Sequence, residues 1–286
     1  MYAATSPCEP PTTAGRAAPP LLERAEGRVR LEFRTDETNR TRVYRCFQQG
    51  SSKVRLPRTR GPMPEAVVLN TAGGMTGGDS YAIAAFAAEG AGATLTSQAA
   101  ERIYRSTGAD ARLDVSLTLS RGARLDWLPQ ETIFFDGGRL TRHLDVAMAG
   151  DSRLLLCEAV ILGRTAHGEA VRRGRLVDHW RIRREGRLVY ADALRLDGAI
   201  AGLTRGRATL GGNRAFATLL AVMPEAERRL DDVRQVLEQS ESAAGVSAWD
   251  GMLAVRIVAG DGARLRAALL TALLALDVEA PRIWSI

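Results

Sequence analysis

The chain predicts a mainly β fold, one large β domain that carries two α-helices in its C-terminal half. Apolar residues alternate with polar ones along most of the sequence, as they do on half-buried strands. Glycine-containing turns such as "SRGAR", "FDGGR" and "REGR" interrupt these runs every ten residues or so. Near the C-terminus the apolar spacing changes from two to three and four, the period of a helix.

The first segment, "MYAATSPCEPPTTAGRAAPP", is rich in Pro, Ala and Thr and has no continuous apolar stretch. It reads as a disordered tail over residues 1–27 rather than a secretory leader, leaving 28–286 as a single β-rich domain. "RVRLEF" then sets Val29, Leu31 and Phe33 on one face, and "RLDVSLTLS" sets Leu113, Val115, Leu117 and Leu119 opposite Arg112, Asp114, Ser116 and Thr118. Further strands are expected at 65–70, 81–88, 93–99, 124–128, 140–148, 153–162, 175–183, 187–196, 214–222 and 252–258. From these residues alone a meander, barrel, sandwich or solenoid all remain open, because no repeat of fixed length is visible.

Two helices follow. In "PEAERRLDDVRQVLEQS" Pro224 suits the first helical position, Glu225 and Glu227 complement the helix N-terminus, and Leu230, Val233 and Leu237 form an apolar stripe. Over 262–276 the stripe is Leu265, Ala268, Leu269, Ala272, Leu273 and Leu276, with Asp261 as N-cap.

Composition narrows the function. The 286 residues suffice for a substantial core, and the three cysteines, odd in number and far apart, argue against a disulfide framework and for a reducing, cytoplasmic setting. The longest apolar run, "AALLTALLAL", is too short to span a bilayer. Net charge is +6, but the arginines are scattered among acids and aromatics are 5% of the chain, so nucleic acid is not an expected partner. No hydrolase signature occurs, and His143, His167 and His179 lack the spacing of a helical metal pair.

Three stretches carry candidate chemistry. "LNTAGGMTGGDSYAI" is glycine-dense but has Asp79 where a phosphate loop needs lysine. Its glycines suit a tight strand connection, or backbone brought close to another chain or a ligand. In "LDWLPQETIFFDGG" Pro129 interrupts a strand after Trp127, with Glu131 just beyond. "CEAVILGRTAHGE" carries Glu158 on an apolar strand and ends at Glu169. A buried carboxylate there requires Arg164 or another arginine, or contact with a metal or water path. Asp192 in "LVYADALRL" poses the same question without a local partner.

Taken in order, "NTAGGMTGGD" (70–79), "RIYRSTGADA" (102–111), "LDWLPQETIFFDGG" (125–138), "LGRTAHGE" (162–169) and "PRIW" (281–284) resemble the urease accessory protein UreD (UreH) family over residues 28 to 286. The resemblance implies a mostly β fold with helix-like winding of its strands plus two helices. It further implies a non-enzymatic scaffold that binds the urease apoprotein and, through UreF, the GTPase UreG, in support of nickel delivery to the urease active site. No tightly bound cofactor is implied, only nickel in transit through an internal passage. Carboxylates and water hold nickel loosely, as transit requires. On that basis Asp79, Glu158 and Asp192 are expected to line or flank the passage, with Glu131 and Glu169 as lesser candidates. A different class stays open beside it: a free-standing small-ligand binder or enzyme that uses the glycine-rich loop.

Overall fold

In a computed structural model, residues 23–58, 63–164 and 168–285 are described, so most of the expected N-terminal tail and the Thr165–His167 part of "LGRTAHGE" lie outside the described residues. The strands are β1 (Glu26–Thr35), β2 (Thr41–Gly50), β3 (Ser52–Arg55), β4 (Glu65–Asn70), β5 (Ser80–Ala87), β6 (Gly92–Ser97), β7 (Glu101–Ile103), β8 (Ala111–Leu119) and β9 (Arg124–Trp127). They continue as β10 (Thr132–Phe134), β11 (Arg139–Met148), β12 (Arg153–Leu162), β13 (Gly174–Arg184), β14 (Arg187–Gly198), β15 (Ala215–Val222), β16 (Ala243–Trp249) and β17 (Met252–Ala259). The helices are α1 (Ile200–Leu203), α2 (Leu230–Glu238) and α3 (Gly262–Ala275).

The chain winds. From β4 to β13 it passes alternately through two facing sheets, and each return lays a strand parallel to its predecessor one turn back. The first sheet runs β14-β13-β11-β8-β5-β1-β2, with β1, β5, β8, β11 and β13 mutually parallel. The second contains the parallel series β4-β6-β9-β12, extended by antiparallel β15, β17 and β16. Short β7 and β10 form a third side of each turn. The turns are unequal: Ser80 pairs with Arg112, and Arg112 with Thr141. That inequality erases any fixed sequence repeat while preserving the helix-like winding.

Side-chain alternation creates the core. Val29, Leu31 and Phe33 of β1, and Val115, Leu117 and Leu119 of β8, all face the space between the sheets. β12 is buried on both faces, because the first sheet covers one side and the helices the other, so it reads as a nearly continuous apolar run. Its odd-numbered residues Leu155, Cys157 and Ala159 pack with the buried faces of α2 and α3. β2, β3, β7, β10 and β16 fall outside the strands expected from sequence. β2 is an almost wholly exposed sheet edge, and β7 and β10 have three residues each, too few to show a period.

Both expected helices form, joined by the single-turn α1. Asp261 caps α3 by accepting the Arg264 N–H at 2.9 Å, and the whole expected stripe from Leu265 to Leu276 is buried. The other helix begins later than its proline implied. Residues Ala226–Arg229 form a 3-10 turn and the regular helix starts at Leu230. The acids that would complement the helix N-terminus have tertiary partners instead: Glu225 pairs with Arg153, and Glu227 accepts the Gly251 N–H.

Candidate functional site: a buried polar layer

Between the inter-sheet core and a second apolar cluster lies a layer where inward positions are polar. Arg142 falls between inward Leu140 and Leu144 on β11, Asp178 between Leu176 and Trp180 on β13, and Glu158 between Leu156 and Val160 on β12. Register brings Arg142 directly beside Asp178. The Arg142 guanidinium donates to both Glu158 and Asp178, and Trp127 Nε1 donates to Glu158 Oε1 at 2.8 Å. The three side chains of this Glu–Arg–Asp group are 3%, 2% and 8% exposed. Burial pushes the Glu158 carboxyl above its usual range, Arg142 pulls against this, and Asp178 adds to it. Arg142 Nε and Asp178 Oδ1 have no hydrogen-bond partner among the described residues.

A cavity of about 150 Å³ opens on this group. It exists because β9 stops at Trp127 and Pro129 carries the chain off the ladder, leaving the next inward position of the sheet unfilled. Its wall runs from exposed Gly73 and Ala99 to buried Arg142 and Glu158. Since one water needs only about 10–15 Å³ measured this way, the space admits several. Near the outer end stands Glu101. Asn70 Nδ2 donates to its two oxygens at 3.1 and 3.3 Å, Asn70 Oδ1 accepts from the Tyr81 hydroxyl at 2.9 Å, and Ser51 donates to that hydroxyl. Burial pushes the Glu101 carboxyl up to about 7, with Asp79 adding to the rise and the Asn70 hydrogen bond opposing it. Among the described residues no arginine or lysine is ion-paired with Glu101.

On the far side of the central group the polar layer continues. Thr218 pairs with Glu158 across β15 and β12, Arg256 Nη1 approaches Thr218 Oγ1 at 3.4 Å, and Arg256 Nη2 reaches Asp192 Oδ2 at 2.7 Å. Asp192 thus has its partner 64 residues away, on the opposite sheet.

The structure sorts the sequence-derived acids by environment. Glu158 lies on the cavity wall and is neutralised by Arg142 rather than Arg164. Asp79 does not line the cavity. Its oxygens accept the backbone N–H groups of Ala25 at 2.9 Å and Thr76 at 2.7 Å, which closes the glycine-rich loop. The tight-connection reading of that loop's glycines holds, since Gly78 has φ +94°, and a Cβ on Gly77 would sit 2.3 Å from the Ala109 carbonyl oxygen. The close neighbour is this chain's own backbone. Glu131 is a buried anchor for α3, gripped by Arg266 Nε at 2.7 Å and Nη2 at 2.6 Å. Glu169 pairs with Arg164 Nε at 2.8 Å and is held below its usual range by that hydrogen bond.

Arg142, Asp178, Glu101 and Arg256 were not singled out by sequence. A signal existed for the first two, since each is a charged residue on the apolar face of an alternating strand. Glu101 sits on a three-residue strand with no pattern to violate. Among the described residues no group of three or more His, Cys, Asp and Glu side chains is arranged to hold a metal ion, and no helix is long and apolar enough to cross a membrane.

The UreD urease accessory protein family model matches residues 25–285. This chain belongs to that family. The urease accessory protein UreD of Azorhizobium caulinodans is 45% identical over 271 residues, covering 94% of this chain and 100% of the relative. That of Xanthobacter autotrophicus is 45% identical over 282 residues, covering 98% and 96%. That of Rhizobium leguminosarum bv. viciae is 45% identical over 272 residues, covering 94% and 98%. The likeness includes every strand of both sheets, so the polar layer is embedded in the part of the chain shared with the UreD family.

Proposed function

We propose that the chain is a non-enzymatic scaffold in urease maturation, in the cytoplasm. It binds the urease apoprotein and, together with UreF and the GTPase UreG, supports nickel delivery to the urease active site. Membership in the UreD urease accessory family supports the assignment to urease maturation. The observation that carries the nickel-transit reading is the polar layer, with the cavity at its outer part. Glu101 stands near the mouth, Glu158 with Arg142 at the inner wall, and Asp192 with Arg256 beyond. Glu158 and Asp192 line the passage and Asp79 flanks it, close enough for its charge to act on Glu101. Glu131 and Glu169 serve the fold through their arginines.

Carboxylates interrupted by guanidinium groups suit a cation in transit rather than one stored, since Glu158 and Asp192 already have Arg142 and Arg256 as competing positive partners. The rival reading, a small-ligand binder or enzyme built on the glycine-rich loop, is disfavoured by size. A cavity of about 150 Å³ falls below the ~300–1,000 Å³ of ordinary ligand pockets.

The test is co-expression of Glu158→Gln, Asp192→Asn and the unaltered chain with UreF, UreG and urease. Recovery of the complex by pull-down and the nickel content of urease are measured together. Lower urease nickel with an intact complex supports the passage. Loss of the complex assigns these acids to structure, and normal urease activation without this chain overturns the scaffold reading.

A further inference from the structure

Two of the three histidines, 36 positions apart in sequence, are neighbours on the outer face of the first sheet. His143 of β11 pairs in register with His179 of β13, and Asp114 of β8 pairs with His143 on its other side. Ala82 of β5 and Ala193 of β14 flank the row, and Arg28 of β1 lies beyond Ala82. The inward neighbours Arg142, Leu144, Asp178 and Trp180 are buried, which leaves both imidazoles half-exposed on the opposite side.

The ring centroids are 5.6 Å apart with the planes inclined by 34°. A metal about 2.1 Å from an imidazole nitrogen lies about 3.2 Å from the ring centroid, so two rings sharing it are about 4.5 Å apart at a 90° ligand angle and about 5.5 Å at 120°. The observed separation lies just outside that range, so closing on a shared ion at 90° draws the two half-exposed rings together by about 1 Å. His143 is also oriented: its Nδ1 lies 3.2 Å from Asp114 Oδ1, and a carboxylate only accepts, so Nδ1 carries the proton and Nε2 presents its lone pair. Asp114 is fixed in turn by Arg112 Nε at 2.6 Å. Neither ring nitrogen of His179 is hydrogen-bonded by any described residue. Asp145 and Arg181 stand two residues further along the same face, and Asp145 is ion-paired with Arg183 at 3.9 Å.

We infer that His143 and His179 form a surface site for a borderline divalent cation of the nickel class, with Asp114 positioning His143 and water completing the shell. Two protein ligands make it a loose site, consistent with the lack of any three-ligand group. It is separate from the polar layer and does not depend on the passage. Its chemistry is imidazole rather than carboxylate, so it selects nickel or copper over magnesium.

The test titrates the full-length chain with Ni²⁺ by calorimetry and with Cu²⁺ by electron paramagnetic resonance. Binding should weaken at least tenfold in His143→Gln and in His179→Gln, and severalfold in Asp114→Asn. The Cu²⁺ spectrum should show nitrogen coupling that both histidine variants lose. Asp261→Ala, at the start of α3, should leave these signals unchanged, which separates loss of the site from a general loss of stability. Unaltered Ni²⁺ binding in both histidine variants, or a Cu²⁺ spectrum without nitrogen coupling, overturns the inference.

Discussion

Replacing Arg142 with methionine removes the only cation among the described residues that is paired with Glu158 and Asp178, while keeping most of the side-chain volume. The three side chains are at most 8% exposed, so water cannot take over the lost hydrogen bonds without opening the layer. Removing one partner of a buried ion pair costs about 3–5 kcal/mol, and here a single change strands two acids, so the loss belongs at the upper part of that range, about 4–5 kcal/mol. Domains of this kind are stable by about 5–15 kcal/mol, so the variant should remain folded but with its guanidinium midpoint clearly lowered. The penalty should also grow with pH. Without Arg142 the Glu158 carboxyl is raised further, and a group raised in the folded state favours folding below its unfolded value and loses that contribution as pH rises through the folded one. Circular dichroism in guanidinium at pH 5 and pH 8 measures both effects. The companion variant Arg142→Met/Glu158→Gln/Asp178→Asn removes the stranded charges and should recover at least half of the loss. A cost under about 1 kcal/mol for the single change, or a triple variant as unstable as the single one, would refute the view that charge pairing holds this layer together.

Glu101 titrates from an ordinary 4.5 to about 7 on folding, so its contribution is complete below pH 4.5 and lost as pH rises through 7. Glu101→Gln should flatten the stability-versus-pH curve by at most about 3 kcal/mol over that window, with partial exposure reducing the figure; parallel curves would exclude it. Arg266→Ala leaves Glu131 buried and unpaired and releases the Trp284 carbonyl, so α3 and the last residues should become protected less well in amide exchange, at a cost of about 3 kcal/mol. Asp261→Ala should cost about 1 kcal/mol, seen as a lower denaturation midpoint, through loss of the α3 cap alone. Gly77→Ala should destabilise by about 1–3 kcal/mol, because the new methyl meets the Ala109 carbonyl oxygen and that backbone has to move.

The sequence by itself determined the strands with a clean period, such as β8 with its four leucine and valine positions, and the stripe and cap of α3. These are local properties, set by side-chain direction along one element. The ordered motifs likewise carried the resemblance to the family, because such motifs record residues and spacing directly. The helix-like winding was implied by the family resemblance and not by any local pattern, since unequal turns leave no repeat to read; only the tertiary structure decided how its strands divide between two sheets. It also decided which acids share a space. Glu158 meets Arg142 and Asp178 because register across separate turns aligns them, and Asp192 finds Arg256 on the opposite sheet. Asp79, expected to line or flank the passage, accepts one backbone N–H on each oxygen and lies outside the cavity wall. His143 and His179 looked unrelated by spacing, yet parallel strands one winding apart set them side by side. Parallel pairing joins residues about one turn of the chain apart, and no local pattern in the sequence carries that distance.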